Sequence, residues 1–80
     1  MNQINLDAYT INYDEQLDYI YDQASKTVAF FMKSEQAELG GYVSICAVIQ
    51  IINSKIIFKF RYATHLIKYS AKNYAVMVNV

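Results

Sequence analysis

Residues 42–62 read Tyr-Val-Ser-Ile-Cys-Ala-Val-Ile-Gln-Ile-Ile-Asn-Ser-Lys-Ile-Ile-Phe-Lys-Phe-Arg-Tyr, two β-rich runs joined by Asn53-Ser54. A two-residue loop whose first member tolerates positive φ is typical of a tight β-hairpin. With Ile52 opposite Lys55, one face would hold the pairs Ile51–Ile56, Ile49–Phe58, Ala47–Phe60 and Ile45–Tyr62. The other face would hold Gln50–Ile57, Val48–Lys59 and Cys46–Arg61. A single register sorts both strands into an apolar and a mixed basic face, so the stretch predicts a hairpin over 42–52 and 55–62.

Upstream of the hairpin, the pattern predicts a strand at 4–11 followed by a helix from about 13 to 38. Asn12 and Glu15 have the spacing of a capping box, and Asp14 suits the positive end of a helix dipole. Apolar residues follow at helical steps of three and four, namely Tyr13, Leu17, Ile20, Tyr21, Ala24, Val28 and Phe31. Residues 27–32 are rich in strand formers, so a break of the helix there is the alternative.

Downstream, residues 64–72 place apolar side chains on one side at helical spacing, which predicts a short second helix. Residues 74–80 predict a last strand. The whole chain then forms a single α+β domain over 1–80, with the order strand, helix, strand, strand, helix, strand of a ferredoxin-like fold. The alternative is one long N-terminal helix packed on a three- or four-stranded antiparallel sheet, with 64–69 extended.

Composition narrows the function classes. The 80 residues are 55% hydrophobic, with one cysteine, one histidine and two glycines. These numbers do not allow an internal disulfide or a zinc site closed by Cys and His, and no glycine-rich phosphate loop is present. Cys46 is the one candidate nucleophile and His65 the one candidate base, which is too little to predict an enzyme. We therefore expect no catalytic activity, cofactor or metal. The N-terminus lacks a secretory pattern and no run is long enough to span a membrane, so we expect a cytoplasmic protein.

Charge is separated along the chain although the net charge is zero. Residues 1–38 carry a net charge of −5 and residues 39–80 carry +5. The predicted helix would present an acidic, aromatic face made of Asp14, Glu15, Asp18, Tyr19 and Asp22. The predicted sheet and second helix would present a basic face made of Lys55, Lys59, Arg61, Lys68 and Lys72.

Eight tyrosines in so short a chain exceed what one small core needs, and tyrosine is favoured at protein interfaces. The sequence therefore predicts a non-catalytic module that binds a larger protein or complex. In character it suits a phage or mobile-element inhibitor that masks a host defence complex. The alternative is an RNA- or single-stranded-DNA-binding module that uses the basic face, which the absence of outward aromatics on the predicted sheet makes the weaker hypothesis.

The predicted C-terminal strand suggests self-association. It lacks charge, proline and glycine, the devices that normally protect an exposed sheet edge. We therefore expect a homodimer that pairs this edge, formed by Tyr74, Val76, Met77 and Val78.

Overall fold

Strands, rather than a helix packed on a sheet, organise this chain. The computed structural model describes residues 2–34, 44–62 and 64–71; strands account for 70% of these residues, and no helix of seven or more residues occurs among them. The α+β prediction is therefore wrong. The elements are β1 (Asn2–Leu6), β2 (Tyr9–Tyr13), β3 (Leu17–Asp22), β4 (Thr27–Met32), β5 (Ile45–Ile52), β6 (Lys55–Arg61), the 3₁₀ turn η1 (Thr64–Leu66) and β7 (Ile67–Ala71).

The strands form two antiparallel sheets. One has three strands in the order β1-β2-β7, and the other has four in the order β3-β4-β5-β6. The inner sides of both sheets contribute to one buried core. Its central members include Ile11 from the first sheet and Phe30 and Ile49 from the second, each fully buried. Because the described residues form two sheets and no helix packs on either of them, the ferredoxin-like arrangement, a single sheet with helices on one face, does not occur among them.

The predicted strand 4–11 is in fact a hairpin. Its apolar residues fall on even positions at Ile4 and Leu6 and on odd positions from Tyr9 onward, and a two-residue turn at Asp7 produces that change of phase. Asp7 has a φ of 51°, a left-handed conformation that aspartate tolerates better than most residues. The prediction of one continuous strand is therefore wrong.

The predicted helix 13–38 is replaced by the end of β2 and by the β3–β4 hairpin, up to residue 34. Residues 35–38 lie outside the described residues. Leu17 and Tyr19 face the core while Ile20 is 59% exposed, which is the two-residue period of a strand. The helical spacing seen in the sequence arises because the β3–β4 turn adds a second change of phase. Residues 27–32, where the alternative places a break, form β4.

The predicted helix 64–72 is also wrong for the described part of that range. Residues 64–66 form a single 3₁₀ turn, and Ile67–Ala71 pairs with β2 as strand β7. Strand pairing supplies backbone hydrogen bonds and buries Ile67, and this outweighs a local helical preference. The predicted strand 74–80 lies outside the described residues.

The hairpin predicted over 42–52 and 55–62 occurs as β5 and β6, and its turn is confirmed; residues 42 and 43 lie outside the described residues. Asn53 and Ser54 both have positive φ, at 50° and 63°, and Ile52 pairs with Lys55. The four pairs nearest the turn are those that the sequence predicted. Beyond Ile49 the register shifts by one residue, so that Val48 pairs with Phe60. The predicted partners of Ala47 and Val48 are therefore wrong.

Three hairpin turns meet at one end of the two sheets. The Tyr9 hydroxyl of the first sheet donates a hydrogen bond to the Ser54 carbonyl of the second at 2.9 Å. Lys26 forms an ion pair with Asp7 at 2.8 Å. The carboxylate of Asp7 accepts a hydrogen bond from the Lys26 ammonium group and raises the pKa of Lys26. These two contacts hold the three turns together at this end of the sheets. The candidate functional surfaces lie on the outer side of the four-stranded sheet and at its opposite end.

Candidate functional site: an apolar sheet face and an adjoining cavity

The outer side of the four-stranded sheet carries a row of apolar side chains. Ile20 pairs with Ala29, Ala29 with Val48, and Val48 with Phe60, so the row crosses all four strands. Ile57 lies two positions further along the sheet on the same side. Ile20 is 59% exposed and Phe60 is 46% exposed, which is unusual for large apolar side chains grouped together. We call these five residues the apolar face.

A β-bulge in β6 places Phe60 on this face. Phe58 pairs with Ile49 and packs against the core, and the pairing then skips Lys59, so Phe60 pairs with Val48 and faces outward. Without the bulge, alternation would direct Phe60 inward, as the sequence predicts. A bulge adds one residue to a strand and so reverses the side of every residue beyond it. The sequence pattern assigns Phe60 to the core and misses the apolar face for this reason.

Charged residues border the apolar face on its two edges. Asp18 and Asp22 lie on the same side of β3 as Ile20, at one edge of the sheet. Lys55 lies on the same side of β6 as Ile57, at the opposite edge. The face therefore has an acidic border and a basic border, with the apolar row between them.

Asp22 also has a structural role in the β3–β4 turn. Its carboxylate accepts hydrogen bonds from the hydroxyl and the backbone N–H of Ser25. The hydroxyl hydrogen bond is the largest cause that lowers the pKa of the Asp22 carboxyl. Asp22 is therefore held ionised at the edge of the apolar face.

A cavity of about 570 Å³ adjoins one end of this face. Ile45 and Phe60 line it and also belong to the outer side of the sheet, so the cavity and the apolar face are contiguous. The cavity lies at the end of the sheets away from the hairpin turns. The described residues that line it are Gln16, Met32, Ser44, Ile45, Cys46, Phe60, Tyr62, His65 and Leu66.

The cavity contains both residues that the sequence singled out for nucleophilic chemistry. Cys46 is buried, and its thiol donates a long hydrogen bond of 3.7 Å to the Ser44 carbonyl. His65 lies in the 3₁₀ turn and also lines the cavity. The predicted pairing of Cys46 with Arg61 does not occur, because Arg61 pairs with Ala47.

The acidic group predicted from the sequence is divided between different surfaces. Asp14 and Glu15 lie in the link between β2 and β3, where the Asp14 carboxylate accepts a hydrogen bond from the Gln16 N–H at 2.8 Å. Asp18 and Asp22 lie on the outer side of β3. In an extended strand these carboxylates are about 13 Å apart, so they do not act as the close pair that a helix would make.

Tyr19 faces the other way, toward the core. Its ring lies 5.7 Å from the ring of Tyr13 in an edge-to-face contact, and both rings contact Phe30. Burial raises the pKa of the Tyr13 hydroxyl. Tyr19 therefore belongs to an aromatic cluster that joins the two sheets, on the opposite side of β3 from Asp18 and Asp22.

The predicted basic group is divided as well. Lys55, Lys59 and Arg61 lie on β6, but the bulge turns Arg61 to the inner side, where its guanidinium lies 4.6 Å from the centre of the Phe58 ring. Lys68 lies on the outer side of the other sheet, opposite Asn12. Lys72 and the predicted dimer edge (Tyr74, Val76, Met77 and Val78) lie outside the described residues.

The outer side of the three-stranded sheet is polar throughout and contrasts with the apolar face. Gln3 donates a hydrogen bond to the side chain of Asn12, and Thr10 donates one to Asn5, both at 3.0 Å. Ser70 lies opposite Thr10 on the same side. Among the described residues, the two outer sides thus differ in kind, and of the two sheets it is the four-stranded one that exposes grouped apolar side chains on its outer side.

Comparison of the chain with protein-family models, with curated proteins and with solved structures finds no match. Within residues 2–34, 44–62 and 64–71, three or more His, Cys, Asp or Glu side chains do not come together in a way that could hold a metal ion. The same residues contain no helix long and apolar enough to cross a membrane.

Proposed function

We propose that this protein is a non-catalytic interaction module that binds another protein through the apolar face. One observation carries the proposal: the row Ile20–Ala29–Val48–Phe60 crosses all four strands with its two end residues well exposed. Exposed apolar side chains grouped in this way mark interaction sites more often than scattered ones do. The free energy gained when such a row is buried would be the driving force for binding.

The cavity beside Phe60 supports the same proposal. Interfaces concentrate their binding energy where one partner inserts an apolar or aromatic side chain into a pocket of the other. A cavity of about 570 Å³ that adjoins the apolar face could accept such a side chain. Tyr62, which is 80% exposed at the cavity, adds the kind of aromatic residue that interfaces favour.

The sequence suggests a phage or mobile-element inhibitor that masks the surface of a larger complex in the host cytoplasm. Such an inhibitor would use this mode of binding, and the role stays a hypothesis. The nucleic-acid alternative has less support. The basic residues that it needs lie on two different sheets, with Lys55 on one outer side and Lys68 on the other. Each phosphate contact adds to affinity only where the cations can reach one backbone together.

Site-specific photo-cross-linking in cells that contain the protein tests the proposal before the partner is identified. A photoreactive phenylalanine analogue at position 60 is expected to give covalent adducts with protein. The same analogue at position 70, on the polar side of the other sheet, is the matched control and is expected to give few or none. Equal yields at the two positions would contradict the proposal, and the mass of each adduct identifies the partner as a second copy or a different protein.

A further inference from the structure

We propose that the protein bound on the apolar face is a second copy of this chain, related to the first by a two-fold axis that runs along the strand direction between β4 and β5. This inference rests on the proposed function, because it names the partner for the same surface. It differs from the edge-paired dimer predicted from the sequence, which would use residues 74–80.

The two borders of the apolar face carry opposite charges. Asp18 and Asp22 lie on β3, and Lys55 lies on β6, at opposite edges of one sheet and all on its outer side. Three strand spacings of about 4.8 Å separate the edges, a distance of roughly 14 Å. That distance is too long for the two borders to pair within one copy, so each border can pair with another chain.

Symmetry then determines which borders meet. When two identical sheets stack face to face, a two-fold axis across the strands places β3 over β3 and brings carboxylates together. A two-fold axis along the strands places β3 of one copy over β6 of the other, and it does so twice. Asp22 shares a cross-strand row with Ile57, two residues from Lys55, so the second arrangement brings Asp22 of one copy within reach of Lys55 of the other.

The apolar row agrees with the same arrangement. An axis along the strands keeps each row at its own level and exchanges its two ends, so Ile20 of one copy lies over Phe60 of the other. These are the most exposed members of the apolar face, and each would cover the other. Ala29 and Val48, the smaller residues at the centre of the row, lie nearest the axis and allow the two sheets to approach closely.

The size of the face sets the expected strength. Four strands of about six residues span roughly 19 Å by 20 Å, and because Phe31 on the same side of β4 is already buried, the free face is at most about 400 Å² of each copy. Stable protein interfaces bury about 800 Å² per partner, so this dimer belongs to the weak class. We therefore expect association in the micromolar range or above, with a clear dependence on protein concentration.

The test is sedimentation velocity on the full chain from about 1 μM to about 1 mM, which brackets that range of affinity. The wild-type protein is expected to change from monomer to dimer across the series. Val48→Lys places a charge at the centre of the face and is expected to remain monomeric. The matched control, Ser70→Lys on the polar side of the other sheet, is expected to dimerise like the wild type.

A charge exchange tests the axis itself. Asp22→Lys and Lys55→Asp, each studied alone, create two like-charge contacts in the homodimer and are expected to weaken it about tenfold or more. An equal mixture of the two variants restores both attractive contacts and is expected to dimerise as the wild type does. Asp22→Asn retains an acceptor for Ser25, so it removes the charge of Asp22 without removing the turn hydrogen bond. If Asp22→Lys does not fold, Asp22→Asn takes its place. Its mixture with Lys55→Asp keeps one attractive contact and is expected to associate more strongly than Lys55→Asp alone.

Three results would overturn the inference. A wild-type chain that stays monomeric at about 1 mM has no such dimer, although adducts from position 60 to other proteins would leave the proposed function intact. A dimer unaffected by Val48→Lys uses another surface, such as residues 74–80. A mixture of charge variants that associates no better than either variant alone excludes the axis along the strands.

Discussion

Ile49 and Ile20 provide a matched pair that tests the fold, because the same substitution is made at two positions of one sheet. Ile49 is fully buried in β5, and Ile20 on β3 is 59% exposed. A helix over 13–38 would place Ile20 on its buried stripe, whereas the sheet places it on the outer side. The stability cost of Ile20→Ala therefore differs between the two folds.

The magnitudes follow from burial. Ile→Ala in a packed core costs about 2–5 kcal/mol, since the transfer free energy is lost and a cavity remains. A domain of this length has a free energy of unfolding of roughly 4–12 kcal/mol, so Ile49→Ala should remove a large part of it. Ile20→Ala should cost less than about 1 kcal/mol, mainly through reduced strand propensity.

The assay is urea denaturation followed by far-ultraviolet circular dichroism, at a protein concentration near 1 μM, where a weak dimer is dissociated. Both variants should keep the wild-type slope of free energy against urea, so that the shift in midpoint reports stability alone. Equal costs at positions 20 and 49, or a larger cost at 20, would refute the outward position of Ile20. They would refute the apolar face with it.

Two further predictions concern the turns. Ser54→Gly should stabilise the protein by roughly 1 kcal/mol in the same assay. Ser54 has a φ of 63°, which glycine adopts without the Cβ penalty, and Asn-Gly suits this hairpin turn. An unchanged or lower urea midpoint would contradict the left-handed turn. Asp22 has a lowered pKa in the folded state, so its contribution is present above the unfolded pKa and is lost as pH falls through the folded pKa. Asp22→Asn should therefore reduce the loss of stability on acidification, measured by urea midpoints from neutral pH down to about pH 2. If the midpoint of this variant falls with pH as much as that of the wild type, the role of the Ser25 hydrogen bonds is contradicted.

The hairpin around Asn53-Ser54 was predictable because its determinants are local. The loop residues specify the turn, and the first four pairs follow from it by alternation. The bulge at Lys59 was not predictable in the same way. A regular register also buries apolar residues and would place Phe60 on the inner side. The observed register places Arg61 there instead, opposite Ala47, with its guanidinium over the ring of Phe58.

The N-terminal region shows how short turns can disguise strands. Strands have a period of two, and the turns at 7–8 and 23–26 each change the phase; the second change places the apolar positions of residues 13–31 at steps of three and four. Asp7 and Lys26, both at positive φ in the turns, are residues that a helix also accepts. Neither turn carries the glycine that would have marked it, so the period alone could not distinguish the two structures.

By itself the sequence determined the tight turn at 53–54, the four cross-strand pairs next to it, and the separation of acidic from basic charge along the chain. Each of these is a property of neighbouring residues or of composition. Tertiary structure alone decided that β7 joins β2, that Phe60 faces outward, and that Cys46 and His65 line the same cavity. These outcomes depend on contacts between residues far apart in sequence, where the burial gained by pairing two sheets outweighs the local preference of any one segment.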